Sequence, residues 1–131
     1  MSVIVTDTGF APDDWQLGWG SDGAGVDLAA DTDPDALDPA LMQAPAIRIP
    51  FAAFSDGRGF TLARSLRRAG YAGRLRAAGH VLADQYAMAR RTGFDEVEIS
   101  ADLAARQPQD QWLARADWRA HDYQARLRGA G

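Results

Sequence analysis

The sequence predicts an α/β domain: three or four parallel strands in βα units, helices mainly on one face as in a partial (β/α) barrel, and an N-terminal strand or hairpin arm. Three observations carry this. Short segments of alternating apolar and charged residues recur after residue 45, helical patterns separate them, and each segment has one charged face. Helices covering both faces of a parallel sheet would require nearly continuous apolar strands instead.

Val3, Ile4, Val5 and Thr6 favour a strand, and Asp7-Thr8-Gly9 follows as a turn, so a strand or hairpin reaching about Trp19 is expected. Residues 20–45 are rich in Gly, Asp, Pro and Ala without periodicity and read as a loosely held loop. Ile47, Ile49 and Phe51 then alternate with Ala46, Arg48 and Pro50 as a strand. Phe60 to Ala69 reads as a helix with Leu62, Ala63 and Leu66 inward and Arg64, Arg67 and Arg68 outward, stopped by Gly70. A second strand sets Leu75 and Ala77 against Arg74 and Arg76. The next helix runs from about Val81 to Thr92, with Asp84 in its first turn, Arg90 and Arg91 in its last, and Gly93 as its stop. Val97 and Ile99 oppose Glu96 and Glu98 in a third strand. Leu113, Ala116, Ala120, Tyr123 and Leu127 form a helical stripe entered through Pro108.

Successive right-handed crossovers put these helices on one side of the sheet. The apolar strand residues face them, and Arg48, Arg74, Arg76, Glu96 and Glu98 share the other side. Four states of that side are open: a wet face of cross-strand ion pairs, or a cover made by the acidic N-terminal arm, a second subunit as in a homodimer, or a ligand.

The 131 residues amount to one domain, with an acidic arm and loop at 1–44 and a βα core at 45–131. Before Arg48 there are nine acidic residues and no basic ones; from Arg48 onward fourteen arginines face nine acids. Every cation is Arg, which excludes a P-loop, Schiff-base or general-base lysine. The absence of Cys excludes disulfides, thiolate nucleophiles and Fe–S clusters. No long apolar run suggests a membrane span, and the N-terminus does not read as a signal peptide, so a cytoplasmic location is expected. His80 and His121 lack metal-ligand spacing, no G-x-S-x-G elbow or dinucleotide motif is present, and a pI of about 5.0 argues against nucleic acid. No metal and no cofactor is expected. Trp112 and Trp118, near Arg115 and Arg119, suit interface anchors or core packing equally.

Two strand-end loops are the candidate ligand site. Ser55-Asp56-Gly57-Arg58-Gly59 follows the first core strand and opens a helix, where backbone N–H groups and Arg58 suit an oxyanion; the alternative is a capped helix start with Arg58 in a structural ion pair. Gly79-His80, with Asp84 and Gln85 a turn later, lies at the same edge. Asp84 pairing with Arg58 or Arg76 would converge Asp56, Gly57, Arg58, Gly59, Arg76, His80, Asp84 and Gln85 on a small anion, or would only let these groups satisfy one another.

Phe51, Phe54, Asp56-Gly57-Arg58-Gly59-Phe60-Thr61, Ala63, Leu66-Arg67, Leu75-Arg76-Ala77, Gly79, Val81-Leu82, Asp84-Gln85 and Gly93-Phe94-Asp95, with Tyr123-Gln124 as a closing pair, form an ordered set of motifs between Ile47 and Ile99 and beyond. With them the chain resembles the DUF934 family of bacterial proteins. His80 stands where the family commonly has an acid, a residue of catalysis or of helix capping. The resemblance implies a place beside assimilatory sulfate and sulfite reduction, as a non-catalytic accessory or interaction protein with sulfite reductase or another sulfur-assimilation protein as partner. A small-anion (sulfate- or phosphate-type) binding protein or enzyme using the strand-end loops is the alternative.

Overall fold

The structure, a computed structural model, describes residues 2–121. Among these residues six strands form one mixed sheet: β1 (Ser2–Thr6), β2 (Gly9–Ala11), β3 (Val26–Asp27), β4 (Ala46–Phe51), β5 (Arg74–Gly79) and β6 (Glu96–Ser100). Their spatial order is β2-β1-β6-β5-β4-β3. The four strands β3 to β6 are parallel, while β1 runs antiparallel to both β6 and β2. The N-terminal hairpin is therefore part of the sheet rather than a separate arm. Two residues of the expected loop, Val26 and Asp27, add a strand beside Ile47 and Arg48. The end strands β2 and β3 do not pair with each other, so the sheet does not close into a barrel.

Among the described residues there are four α-helices, in chain order α1 (Arg58–Arg68), α2 (Tyr86–Thr92), α3 (Ala101–Arg106) and α4 (Gln109–Leu113). The alternation of each strand sorts its side chains as its period of two requires. Ile47, Ile49, Phe51, Leu75, Ala77, Val97 and Ile99 pack with Leu62, Ala63 and Leu66 of α1, Tyr86 and Ala89 of α2, and Leu103 and Trp112 from α3 and α4 in one buried cluster. Val5 joins them because it lies opposite Val97. At about 1.5–3 kcal/mol for each large apolar side chain removed from water, this layer is the dominant stabilising contact.

Helix ends follow their local signals. Gly70 and Gly93 lie at φ 104° and 122°, conformations that cost residues with a Cβ, and each follows a helix. The helix expected from Val81 begins instead with a 3₁₀ turn, Ala83–Gln85, which passes into α2.

Two expectations need correction. Arg67 does not point into solvent: its guanidinium donates to the carbonyls of Gly93, Tyr71 and Gly73 and to Asp95, joining the end of α1 to the turns before β5 and β6. Those carbonyls sit at chain reversals, where a five-donor fork finds acceptors that strands and helices leave free. Among the described residues the C-terminal stripe, entered through Pro108 as expected, is not one helix either: α4 ends at Leu113, a 3₁₀ turn follows at Trp118–His121, Leu113 is exposed, and the side chain that enters the core is Trp112. Trp112 buries far more area than Leu113, and its indole N–H reaches the Gln107 carbonyl. Tyr123, Gln124 and Leu127 lie outside the described residues.

Candidate functional site

The charged side of the sheet is built by register. Arg48, Arg76 and Glu96 lie side by side on β4, β5 and β6, with Asp27 of β3 beside Arg48. The Arg76 guanidinium is 0% exposed and has every arm engaged. Its Nε donates to Glu96 at 2.5 Å, one amino group donates to Glu98 at 2.8 Å and Asp13 at 3.0 Å, and the other donates to Asp13 at 2.9 Å. Arg74 donates to both oxygens of Glu96 at 2.8 and 3.0 Å and also to Asp14. Arg48 grips Asp27 with two bonds of 2.7 and 3.1 Å and reaches Glu98 at 3.4 Å.

Residues Asp13–Trp19 of the arm lie across this lattice. Trp19 sits under both Arg48, at 4.6 Å, and Arg76, at 5.2 Å, and Trp15 lies 5.8 Å from Arg74. The two indoles pack at 5.3 Å between ring centroids. Of the four states left open by the sequence, the acidic arm is the cover seen here. Ile4, opposite Glu98 on β1, is buried on this side as well.

Burial in a low-dielectric layer requires each charge to have a partner, and among the described residues no buried side-chain nitrogen or oxygen lacks one. The hydrogen bond from Arg76 holds the Asp13 carboxyl below the usual carboxylate range, outweighing burial, and Arg74 does the same for Asp14. A second knot ties β1 to the helices. Burial would raise Asp7, but hydrogen bonds from Tyr86, Arg90 and Trp118 outweigh it and leave the group below its ordinary value. Burial pushes the Tyr86 phenol up, and its bond to the Asp7 carboxylate adds to the rise.

These lowered carboxylates set the pH response. A folded-state pKa below the unfolded value of 3.8 gives stability that is present above that value and lost as pH falls through the folded one. Thermal unfolding is therefore expected to be nearly constant from about pH 5 to 8 and to fall steeply below about pH 4. Asp13→Asn should flatten part of that fall. A midpoint that stays level down to about pH 3 would show that these ion pairs contribute nothing net.

The strand-end loops are arranged differently from the expected convergence. Asp56 accepts from the Arg58 backbone N–H at 3.1 Å and from its guanidinium at 3.0 and 2.9 Å, so it both opens α1 and occupies Arg58. Gly57 precedes the helix with open space around it, whereas a Cβ on Gly59 would meet the Phe51 ring at 2.4 Å. Gly59 thus permits close packing of helix on strand. Arg76 does not reach these loops; it lies on the sheet's other side under the arm. Asp84 pairs with neither Arg58 nor Arg76 but with Arg115 at 2.8 Å.

Gln85 is a tie between the loops, accepting from Leu82 N–H at 2.8 Å and donating to the Phe54 carbonyl at 2.8 Å. The His80 backbone N–H donates to the Phe51 carbonyl at 2.9 Å, its ring lies edge-on to Phe54, and the residue is exposed. His80 precedes the 3₁₀ turn at Ala83 by three residues, and Gln85 supplies the local capping bond. The position is therefore not a helix cap. A cleft of about 270 Å³ beside Arg58 is lined by Ala30, Asp31, Thr32, Asp33, Pro34, Thr61 and Leu62. Among the described residues no three His, Asp or Glu side chains are grouped to hold a metal ion.

Sequence reasoning did not single out Asp13, Trp15, Trp19 and Asp27 as partners of Arg48, Arg74 and Arg76. The signal available was the charge division: acids precede Arg48 and the arginines follow it. Trp118, offered as an interface anchor, donates to Asp7 and lies 4.8 Å from Arg90. Trp112 is a core residue.

The fold and this site define a mixed α/β domain whose sheet carries helices on one face and an ion-paired lattice under an acidic, tryptophan-bearing arm on the other. The chain belongs to the family described as "Bacterial protein of unknown function (DUF934)", which matches residues 25–130. Neither a curated protein nor a solved structure matches it. No helix among the described residues is long and apolar enough to cross a membrane.

Proposed function

We propose that this chain is a non-catalytic accessory or interaction protein of assimilatory sulfate and sulfite reduction, with sulfite reductase or another sulfur-assimilation protein as its partner. The pathway comes from the resemblance to the DUF934 family, of which the chain is a member. The observation that supports a binding rather than a catalytic role is the state of Arg76. This fully buried cation is held by three carboxylates, leaving it no free arm with which to polarise a substrate. Its chemistry serves to fix a surface.

The test is a pull-down with the tagged chain from cells grown on sulfate as sole sulfur source, beside growth of a deletion strain. Enrichment of sulfite reductase or a sulfur-assimilation partner, with poor growth of the deletion strain on sulfate and normal growth on cysteine, is expected. Equal growth on both sources with no such protein recovered would overturn the reading.

The small-anion alternative draws on Arg58, whose side chain is 62% exposed. Asp56 already occupies its fork, and Asp31 and Asp33 line the adjoining cleft, so an arriving anion meets three carboxylates around one guanidinium. Calorimetry with sulfite, sulfate and phosphate on native and Arg58→Ala chains decides it: binding abolished by the substitution would favour this reading.

A further inference from the structure

We infer that the charged face of the sheet is a docking surface for an extended acidic segment bearing tryptophan, and that Asp13–Trp19 is its resident, displaceable occupant. The inference rests on the interaction role proposed above and adds the surface and the chemistry of the partner.

The arm is held as a peptide ligand is held. Asp13 takes two bonds from Arg76, Asp14 takes one from Arg74, and Trp15 and Trp19 stack on arginines of the sheet. The chain itself contributes little. Among the described residues, 12–16 make no backbone-to-backbone hydrogen bond, the bonds of 17–19 go only to the adjoining loop, where the Ala24 and Gly25 N–H groups donate to the Leu17 and Gly18 carbonyls, and no residue of 12–19 is buried. Leu17 is 60% exposed. A cover built to stay would bury an apolar stripe or join the ladder, as the helices and β1 do on this same sheet.

Charge explains the specificity. Without the arm, Arg48, Arg74 and Arg76 balance Asp27, Glu96 and Glu98 one for one. Asp13 and Asp14 are additional anions that take the guanidinium N–H groups Glu96 and Glu98 do not satisfy. Any segment that replaces the arm must offer acceptors there and aromatic faces to the same arginines. The face also extends past the arm. A cleft of about 490 Å³ lies over Arg48, Pro50, Ala78 and Glu98. A partner segment longer than the arm has room to continue into it. The arginines and glutamates of this surface fall within the family match, which begins at residue 25, and the arm falls before it.

The probe is a synthetic peptide of residues 10–20 and a control in which both aspartates are asparagine. A tethered occupant competes at an effective concentration of about a millimolar, so the native chain should bind the peptide weakly. The Asp13→Asn/Trp19→Ala chain should bind it at least about tenfold tighter than native and at least about tenfold tighter than it binds the control, by fluorescence anisotropy. A folded double variant that binds neither peptide up to about 1 mM, or binds both alike, overturns the inference.

Hydrogen exchange on the native chain covers the case in which that variant does not fold. The amides of Asp13–Trp19 should exchange at least about a hundredfold faster than those of Ile47–Ile49. Equal protection would mean that the arm opens only on global unfolding, which overturns displacement. If the peptide fails while sulfite reductase is still recovered in the pull-down, this surface is wrong and the accessory role stands.

Discussion

Replacing Arg76 by leucine is expected to lower the thermal midpoint by roughly 10–20 °C, the largest effect of any single polar substitution in the domain. The guanidinium is fully buried and bonded to Asp13, Glu96 and Glu98, so its loss leaves Asp13 without its arginine and leaves Glu96 to Arg74 alone and Glu98 to Arg48 alone, beside an emptied buried site. Breaking a buried pair in this way costs about 3–5 kcal/mol, well above the contribution of an exposed pair. The penalty falls on the residues left behind. Arg76→Lys should therefore recover part of it, because the charge remains while the fork that serves three carboxylates at once is lost. Differential scanning calorimetry of the three proteins gives the order native, lysine, leucine. A leucine variant within about 3 °C of native would show that Glu96 and Glu98 escape to solvent and that the lattice is not closed.

Trp112→Ala should be nearly as costly, about 3–5 kcal/mol, for an unrelated reason. Trp112 is 1% exposed, meets Tyr86 edge-on at 6.1 Å, and hands its indole N–H to the Gln107 carbonyl. Gln107 in turn accepts from the Ala83 N–H through its side chain at 2.7 Å. Truncation leaves a void on the helix side and loosens the seam between α4 and the start of α2. Trp112→Phe keeps most of the area and loses mainly the hydrogen bond, so it should cost about 1–2 kcal/mol. Urea unfolding of both variants measures the difference. An alanine variant costing under about 1 kcal/mol would mean that α4 is not docked on the core.

The two effects arise on opposite sides of one sheet, and the sides differ in how far the sequence revealed them. The helix side was legible because its information is local. A strand has a side-chain period of two, so Ile47, Ile49 and Phe51 must share a face and Arg48 must take the other. Leu62, Ala63 and Leu66 mark the inner stripe of α1 by helical spacing, and Gly70 and Gly93 mark helix ends by their freedom at positive φ. Periodicity failed after Pro108, where Leu113 fits a stripe but the larger Trp112 takes the buried place.

The sequence by itself therefore determined the three core strands β4, β5 and β6, the helices α1 and α2, the division of those strands into an apolar and a charged face, and membership of the family. Tertiary structure alone decided that β1 pairs antiparallel to β6, that β3 joins the sheet, and that Asp13 meets Arg76 across 63 positions. It also decided that Arg67 turns inward and that Asp84 meets Arg115 rather than Arg58 or Arg76. The physical reason is one of range. Period and propensity act over a few residues, and chain proximity fixes them. An ion pair has no period: with fourteen arginines and eighteen acids, only the register of the folded sheet selects which of them meet.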